Sequence, residues 1–462
     1  MTAIRFTFNG REIKAREGQS VAAALLAADV TMLTRSSKYR RPRGIHCAAG
    51  HCPNCMLRID GIPHVRACMR AVEAGMTVET EGATAARIDP FRTIDRLGWL
   101  FPVGFQYRYF KRQNSAWRAW ERQLRRVAAE SAIPEAVDVE PAERLVADLL
   151  IVGGGPAGIG AASAAAAQGA NVVLVTRRAT LGGRLRPVLA RGGEPLAVRE
   201  AIAAIHASER IRVIAPGTAV ASFPGVVLID DGTRVVEVRA ERSILATGAY
   251  ERSVPFPGND RPGVMLASAL RRLVLEEDVL AGATAVLVAT DDAAYATACE
   301  LRDAGTRVAA VLDLRASGPA GSMDELDAAG VRIVRGARIV GISGRSRVTA
   351  IEFEAAEDSG SIRCDVVGMS GGWQAADDLR YVATSTGDAL VVGERANPID
   401  PTAAGVGPLP LLQAAGAVAG TADALTAFAE GALAGTWAAD APASAITVAV
   451  ADLAAARGEQ NG

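Results

Sequence analysis

Three of the chain's six cysteines fall within nine positions, in the stretch GIHCAAGHCPNC at residues 44–55. A fourth follows, which gives the spacing Cys47-x4-Cys52-x2-Cys55-x12-Cys68. The x4 and x2 intervals are those of plant-type 2Fe-2S proteins, in which each of two irons takes two thiolates. The small residues between the cysteines let backbone N–H groups approach the sulfurs. The sequence therefore predicts a 2Fe-2S cluster held by Cys47, Cys52, Cys55 and Cys68.

Two other kinds of site fit this spacing less well. A structural zinc site usually pairs two C-x2-C knuckles, and this stretch contains one. His46 and His51 lie among the cysteines, and two histidine ligands are typical of a Rieske-type cluster. Four cysteines, however, already supply a full ligand set. We therefore expect both histidines to lie beside the cluster or to face solvent.

A second pattern suited to chemistry is the glycine loop Gly153-x-Gly155-x-x-Gly158, which follows the apolar run DLLIV and opens an Ala-rich helical stretch. In that context the three glycines allow a tight turn, close approach to a pyrophosphate and close packing of helix on strand. The helix N-terminus then faces the phosphates. The loop predicts a dinucleotide of the FAD or NAD type.

The strand after this loop, NVVLVT, ends at Thr176 where an acidic residue usually holds the ribose hydroxyls. A threonine hydroxyl can still bond a ribose oxygen, whereas Arg177 next to it would suit a phosphate, so NADP and ATP stay open beside FAD. The LGGRL segment and the Ala246-Thr247-Gly248 turn are expected beside the ligand. The predicted cofactor-binding residues are Gly153, Gly155, Pro156, Ala157, Gly158, Thr176, Arg177, Gly183, Arg184, Val220, Thr247, Gly248 and Gly416.

A second strand–helix–strand pattern begins near Ala283 but lacks the glycines. Where they belong the chain reads ATDDAAY, at residues 289–295. Two aspartates would repel a pyrophosphate, so this unit is predicted to be a scaffold without a bound nicotinamide nucleotide.

The elements that must position these motifs indicate an α/β chain. IRFTFNG and REIKARE alternate about Asn9-Gly10, SVAAALLAAD has helical spacing, and CMLRIDGIPHVRAC turns at Asp60-Gly61. We predict an N-terminal β-grasp ferredoxin-like domain followed by a two-dinucleotide-binding-domain flavoprotein fold.

The predicted domain organisation has five parts. They are the ferredoxin-like domain at 1–83, a connector at 84–145, a discontinuous FAD or dinucleotide domain at 146–275 and 365–440, an inserted degenerate unit at 276–364 and a helical tail at 441–462. Nine of the chain's 21 aromatics fall between Phe91 and Trp120. Packing within a connector is the favoured explanation, and docking of a partner chain is the alternative.

The balance of charged residues gives no support for some classes of binding partner. The chain has 50 basic and 51 acidic residues, so its formal charge of -1 gives no electrostatic case for nucleic acid or an anionic membrane. Neither a signal peptide nor a membrane span is predicted, and a cytoplasmic location is expected.

Together these residues resemble the α subunit of heterotetrameric sarcosine oxidase and its relatives, the large subunits of opine oxidase, hydrogen cyanide synthase and heteromeric proline dehydrogenases. The ferredoxin-like domain of the sarcosine oxidase chains generally lacks the cysteines, whereas this chain keeps all four. The stretches that carry the resemblance are RSSKYRRPRG at 35–44, LIVGGGPAG at 150–158, ATGAYERSVPFPGNDRPGVM at 246–265, SGGW at 370–373 and AAGAVAG at 414–420.

The resemblance implies an electron-transfer subunit of an amine or imino-acid dehydrogenase or oxidase. A flavin-containing β subunit would oxidise the substrate, and a further small subunit would belong to some members of the family. FMN would be shared at the interface between subunits. The basic stretch Arg35 to Arg43 would either lie near the FMN phosphate or face solvent. The dinucleotide site would hold FAD, NAD or ATP. No catalytic acid or base is predicted, since His64 and His206 are lone. A self-contained NAD(P)H reductase and a non-catalytic redox sensor are the alternatives.

Overall fold

A computed structural model describes most of the chain. The described residues are 3–36, 41–81, 117–118, 142–193, 195–223, 226–316, 320–356, 358–379, 412–421 and 423–458. The aromatic-rich connector lies outside them apart from Trp117 and Arg118, so the choice between connector and docking surface stays a prediction. Within these ranges, no helix has the length and apolar character that crossing a membrane requires.

The helices are numbered in chain order. They are α1 (Val21–Ala27), α2 (Pro156–Ala167), α3 (Arg186–Ala190), α4 (Leu196–Ala207), α5 (Ala267–Leu275), α6 (Ala293–Asp303), α7 (Ala320–Ala328), α8 (Ala424–Ala438) and α9 (Ala443–Gly458).

The strands are numbered in the same way. They are β1 (Ala3–Phe8), β2 (Arg11–Arg16), β3 (Thr34–Arg35), β4 (Pro42–Arg43), β5 (Met56–Ile59), β6 (Ile62–Arg66), β7 (Thr77–Glu79), β8 (Glu143–Val152), β9 (Val172–Val175), β10 (Ile211–Ile214), β11 (Thr218–Phe223), β12 (Val226–Asp230), β13 (Val235–Leu245), β14 (Ala249–Glu251), β15 (Val264–Leu266), β16 (Thr284–Ala289), β17 (Arg307–Asp313), β18 (Arg332–Arg335), β19 (Arg338–Ser343), β20 (Ala350–Glu354), β21 (Ser359–Arg363), β22 (Val366–Ser370), β23 (Trp373–Ala375) and β24 (Leu412–Ala414).

The chain forms two compact units. The first comprises Met1–Val137 and Glu251–Gly372, and the second comprises Asp138–Tyr250 and Trp373–Gly462.

The first unit begins with a five-stranded sheet in the order β2-β1-β7-β5-β6. Asn9 and Gly10, at φ of 49° and 78°, make the two-residue turn that joins β1 to β2. Asp60 and Gly61, at 49° and 79°, repeat this geometry between β5 and β6. α1 starts after Ser20, whose hydroxyl accepts a hydrogen bond from the N–H of Ala23. The predicted β-grasp fold is confirmed.

A second sheet in this unit has the order β15-β22-β16-β17-β18, with all its strands parallel. Its strands are nearly continuous apolar runs, and residues 285–289 of β16 are all buried, as is usual for parallel sheets. The predicted strand–helix–strand pattern after Ala283 forms β16, α6 and β17.

Residues 251–275 and 365–372 belong to this first unit, whereas the sequence placed them with the dinucleotide domain. The reason is that β22 pairs in parallel with both β15 and β16, which local sequence does not reveal. One buried apolar cluster runs from the β-grasp sheet into the parallel sheet and includes both Ile45 and Leu266.

The second unit contains a seven-stranded sheet ordered β10-β9-β8-β13-β12-β11, with β24 added beside β13. β8 starts at Glu143 rather than at the predicted Asp148, because its first half continues to pair with β13. α2 packs closely on α8: a Cβ on Gly431 or Gly435 would lie 1.8 Å or 2.2 Å from a backbone oxygen of α2. The Ala-rich tail contains α9.

Candidate cofactor sites

The loop that carries three cysteines is shaped by two residues in the left-handed conformation. Ala48 has φ +46° and Gly50 has φ +75°. A Cβ on Gly50 would lie 2.8 Å from Cγ of Met69, so the glycine lets the loop approach the turn that carries Cys68. The N–H of Ala67 donates to the carbonyl of Cys55 at 3.0 Å, which ties the two segments together.

The structure brings the four predicted sulfurs together. The thiol of Cys47 hydrogen-bonds with those of Cys52 and Cys68, and Cys55 hydrogen-bonds with Cys68. The neighbouring thiol of Cys52 lowers the pKa of Cys47, and that of Cys68 lowers the pKa of Cys55. The pKa values of Cys52 and Cys68 are raised, chiefly by their hydrogen bonds to Cys47. Binding of iron to all four as thiolates would remove this competition for protons.

The donor set and its burial fit a 2Fe-2S cluster. Cys47 and Cys55 are each 2 % exposed and Cys68 is 3 % exposed. Across the described ranges, no three His, Cys, Asp or Glu side chains are arranged to hold a single metal ion. A two-iron cluster makes a different demand, because it shares four sulfurs between two irons.

The histidine beside Cys47 has a hydrogen-bond partner outside this quartet. Nε2 of His46 is 2.9 Å from the hydroxyl of Ser253, and burial lowers the pKa of the imidazole. His51 is exposed. Elsewhere in the unit, burial raises the pKa of the Cys364 thiol to about 12.

In the second unit, the glycine loop joins β8 to α2 with a different role for each glycine. A Cβ on Gly153, at φ +124°, would lie 2.1 Å from the carbonyl oxygen of Ala246. A Cβ on Gly158 would lie 1.8 Å from the carbonyl oxygen of Gly153. These two glycines therefore serve the turn and the contact of helix with strand.

Gly155 faces open space, since the nearest atom to its Cβ position is Cα of Gly183 at 3.9 Å. It is the N-cap of α2, no side chain caps it, and Pro156 begins the helix. The first N–H groups of a helix lack intrahelical partners and attract anions. Ala157 and Gly158 lie in this first turn, so the open cradle fits the pyrophosphate of FAD.

Thr176 lies at the end of β9 and is 8 % exposed. Its Oγ1 would be 2.8 Å from a Cβ on Gly154, so it borders the glycine loop. The N–H of Gly182 donates to the carbonyl of Gly154 at 2.8 Å. Gly183, at φ +54°, lies so close to Gly155 that a Cβ would be 2.6 Å from its Cα. The LGGRL segment therefore forms one wall of the cradle.

The two predicted arginines differ in their surroundings. The guanidinium of Arg184 lies 4.6 Å from the ring centroid of Trp373, a cation–π contact that orients it. Arg177 is exposed on the segment after Thr176.

The Thr247-Gly248 turn borders the loop from the end of β13. The hydroxyl of Thr247 donates to the carbonyl of Ala376 at 2.6 Å. Gly248, at φ +77°, accepts a hydrogen bond from the N–H of Ala376 at 3.0 Å. The turn is therefore held by two hydrogen bonds to Ala376.

Two predicted contact residues have less direct support. Val220 lies in β11 at an irregularity in its pairing with β12, and its side chain is 53 % exposed. The N–H of Gly416 donates to Oε2 of Glu430 at 3.1 Å, so it is already engaged within the protein. Ligand contact at these two positions stays a prediction.

One buried acid in the second unit was not predicted from the sequence: Glu430, which is 2 % exposed in α8. It also accepts hydrogen bonds from Thr421 at 2.7 Å and Arg457 at 3.1 Å. A lone acid in the apolar helix ALTAFAEGALAGTWA was the signal that could have found it.

The turn after β16 is occupied by carboxylates. Oδ1 of Asp291 accepts hydrogen bonds from the N–H of Ala293 at 3.2 Å and the hydroxyl of Ser370 at 2.6 Å. The guanidinium of Arg315 pairs with Asp292 at 2.8 Å and with the fully buried Asp313 at 2.9 Å. The start of α6 thus offers negative charge where a dinucleotide would need positive charge.

Two arginines of the basic stretch Arg35 to Arg43 lie beside the carboxylate of Asp260 within the first unit. Nη1 of Arg43 donates to the carbonyl of Asp260 at 3.0 Å and pairs with its carboxylate. Arg41 lies 3.7 Å from the same carboxylate. A cavity of about 300 Å³ adjoins them; it is lined by Arg41, Pro42, Pro257, Gly258, Asp260, Arg261 and Arg345.

Comparison with known families agrees with both sites. Residues 1–83 match the family described as 2Fe-2S iron-sulfur cluster binding domain. Residues 147–420 match the family described as pyridine nucleotide-disulphide oxidoreductase, which is more than half of the chain. The chain belongs to the pyridine nucleotide-disulphide oxidoreductase family. The cofactors of this oxidoreductase are a 2Fe-2S cluster and FAD.

Individual relatives confirm the resemblance seen in the sequence. The oxidoreductase is 31 % identical to the sarcosine oxidase subunit alpha of Rhizobium meliloti, over 93 % of this chain and 45 % of that protein. It is 34 % identical to hydrogen cyanide synthase subunit HcnB of Pseudomonas protegens, over 37 % of this chain and 39 % of that protein. The chain spans less than half the length of these relatives.

A solved structure shares the fold. The L-proline dehydrogenase from P. horikoshii superposes with a TM-score of 0.64 at 20 % identity, covering 98 % of this chain and 76 % of that one. At this identity the likeness concerns the fold alone.

Proposed function

We propose that the chain is the electron-transfer subunit of a heteromeric flavin-dependent amine or imino-acid dehydrogenase or oxidase. The observation that carries this proposal is that one polypeptide combines a quartet of thiols, three of them buried, with an uncapped helix N-terminus behind a glycine loop. A flavin exchanges two electrons with an organic substrate, whereas an iron–sulfur cluster passes single electrons.

In this proposal, Cys47, Cys52, Cys55 and Cys68 are the cluster ligands. The first turn of α2 binds the pyrophosphate of FAD, and Thr176 lies beside the adenosine ribose. The LGGRL segment and the Thr247-Gly248 turn restrict the position of the dinucleotide. These residues bind and orient cofactors, and substrate oxidation belongs to another chain.

The proposed partner is a flavin-containing β subunit, and a smaller third subunit is proposed as well. Support comes from the relatives, which are named as subunits of sarcosine oxidase, opine oxidase and hydrogen cyanide synthase. A shared FMN is also proposed. The cavity beside Arg41 and Arg261 supports it, because guanidinium groups suit a phosphate.

Purification of the chain with and without its partner tests this proposal. Alone, it should contain iron, sulfide and FAD but should not oxidise sarcosine or proline. In the complex, substrate should produce the EPR signal of the reduced cluster within one turnover. Substrate oxidation by the chain alone would contradict the proposal, and a cluster that stays oxidised during turnover would favour a redox sensor.

The ligand assignment is tested by exchanging single thiols. Cys55→Ser should lose the cluster, as measured by iron, sulfide and visible absorption. Cys364→Ser removes a buried thiol outside the quartet and should keep the cluster. Equal loss in both variants would contradict the assignment.

The carboxylates at the start of α6 argue against the alternative of a self-contained NAD(P)H reductase. Anaerobic mixing of the purified chain with NADH should leave the flavin absorption unchanged on the seconds timescale. Rapid bleaching would support that alternative instead.

A further inference from the structure

His46 and Cys47, at the first cysteine of the cluster loop, are held by helix α5 and the strand before it. Nη1 of Arg272 donates to the carbonyl oxygen of Cys47 at 3.1 Å. The N–H of Leu266 donates to the carbonyl oxygen of His46 at 2.9 Å. The hydroxyl of Ser268, one turn earlier on α5, lies 3.5 Å from the same Nη1 of Arg272. One arginine therefore links the parallel sheet's helix to a predicted cluster ligand.

The charge of Arg272 bears on electron transfer as well as on position. A guanidinium stays protonated at all ordinary pH values. Cys47 is 2 % exposed, and Coulomb interactions are stronger in such a poorly hydrated setting. Reduction of a cluster adds one negative charge, so a nearby cation and hydrogen-bond donor favour the reduced form.

Glu251 is a buried acid that interacts electrostatically with Arg272. Glu251 is 8 % exposed, and its Oε2 accepts the N–H of Ser268 at 2.9 Å. Its Oε1 is buried without a hydrogen-bond partner. Burial raises the pKa of this carboxyl, and Arg272 opposes that shift. A carboxyl that resists ionisation adds less negative charge beside Arg272 than an ordinary glutamate would.

The adjacent Arg271 provides a natural contrast. Its Nε lies 2.8 Å and 2.7 Å from the two carboxylate oxygens of Glu300 on α6. Its charge is paired on another face of α5, away from the contact with Cys47. The two arginines have the same formal charge and the same helix, but only one contacts the cysteine loop in these hydrogen bonds.

We propose that Arg272 is a positioning residue that fixes the Cys47 end of the cluster loop and raises the reduction potential of the cluster. The inference rests on the proposed cluster ligands. It adds a determinant of how readily electrons enter this chain.

An anaerobic redox titration of the full-length chain, followed by visible absorption and EPR, tests the inference. At the wild-type midpoint, Arg272→Gln should lower the ratio of reduced to oxidised cluster at least tenfold, which is about 59 mV for a one-electron couple. Arg272→Lys keeps the charge but lacks the planar guanidinium, so its ratio of reduced to oxidised cluster should lie between those of wild type and Arg272→Gln. Arg271→Gln removes an equal charge and should change the ratio less than twofold.

Each outcome is informative. A ratio within twofold of wild type in Arg272→Gln would overturn the inference, as would an equal change in Arg271→Gln. Loss of iron and sulfide from Arg272→Gln alone, with native circular dichroism, would support the positioning role. Absence of a cluster from the wild-type chain would instead refute the proposed function.

Discussion

The strand–helix turns at the start of α2 and at the start of α6 have the same topology and opposite chemistry. At the start of α2, Gly155 is an N-cap without a side-chain hydrogen bond. At the start of α6, Asp291 accepts the N–H of Ala293 and Asp292 pairs with Arg315. A helix N-terminus at the end of a parallel strand binds anions only where the protein's own carboxylates have not occupied it. The comparison shows that topology alone does not make a nucleotide site.

The largest effect is expected from Gly158→Ala. The new Cβ would lie 1.8 Å from the backbone oxygen of Gly153, so the helix and strand must move apart, at about 3 kcal/mol. Flavin content should fall together with the free energy of unfolding measured in urea. Gly360→Ala is the control, because nothing lies within 4 Å of that Cβ position. Full flavin content in Gly158→Ala would contradict the role given to this glycine.

At the second turn, Arg315→Met should destabilise the fold without affecting flavin. It leaves Asp313, which is fully buried, with the hydroxyl of Tyr295 as a remaining partner. Removing one partner of a buried ion pair costs about 3 kcal/mol. Arg332→Met breaks a half-exposed pair with Asp358 and should cost less than about 1 kcal/mol. Loss of flavin on Arg315→Met would show that this turn serves a cofactor after all.

Gly155→Ala should separate binding from folding at the first turn. Its Cβ would enter the cradle without a clash, since the nearest atom, Cα of Gly183, lies 3.9 Å away. We expect flavin affinity to fall about tenfold, or about 1.4 kcal/mol, while stability changes by less than about 1 kcal/mol. Flavin titration by fluorescence, together with urea unfolding, measures both. Unchanged affinity would place the pyrophosphate elsewhere.

The smallest effect on stability is expected from the titration of Glu251, in the unit that contains the acidic turn at the start of α6. Burial raises its pKa above the ordinary 4.5, so the folded state holds this proton to higher pH than the unfolded state does. Its contribution to stability is fully present below pH 4.5 and is lost as the pH rises through the raised value. Wild type should therefore lose stability relative to Glu251→Gln over that interval in urea unfolding. A pH-independent difference would contradict this.

The motifs with short spacing were predictable from sequence. The β-grasp hairpins follow from Asn9-Gly10 and Asp60-Gly61, because these residue types readily adopt the positive φ values that a two-residue turn requires. The cysteine spacing predicted the side chains that the structure brings together, and the ATDDAAY turn predicted the negative charge at α6. Local sequence sufficed in these cases because the interacting groups lie within a few residues or one supersecondary unit.

The remaining features depend on contacts between distant segments. Nothing local distinguishes Arg272 from Arg271, yet one bonds to Cys47 and the other to Glu300. Likewise, the pairing of β22 with β15 and β16 decided that residues 251–275 and 365–372 join the first unit. The sequence by itself determined which groups are available for chemistry, through residue type and short spacing. Only the tertiary structure decided which groups each charge contacts, because those contacts depend on side chains that the folded chain brings together from far apart.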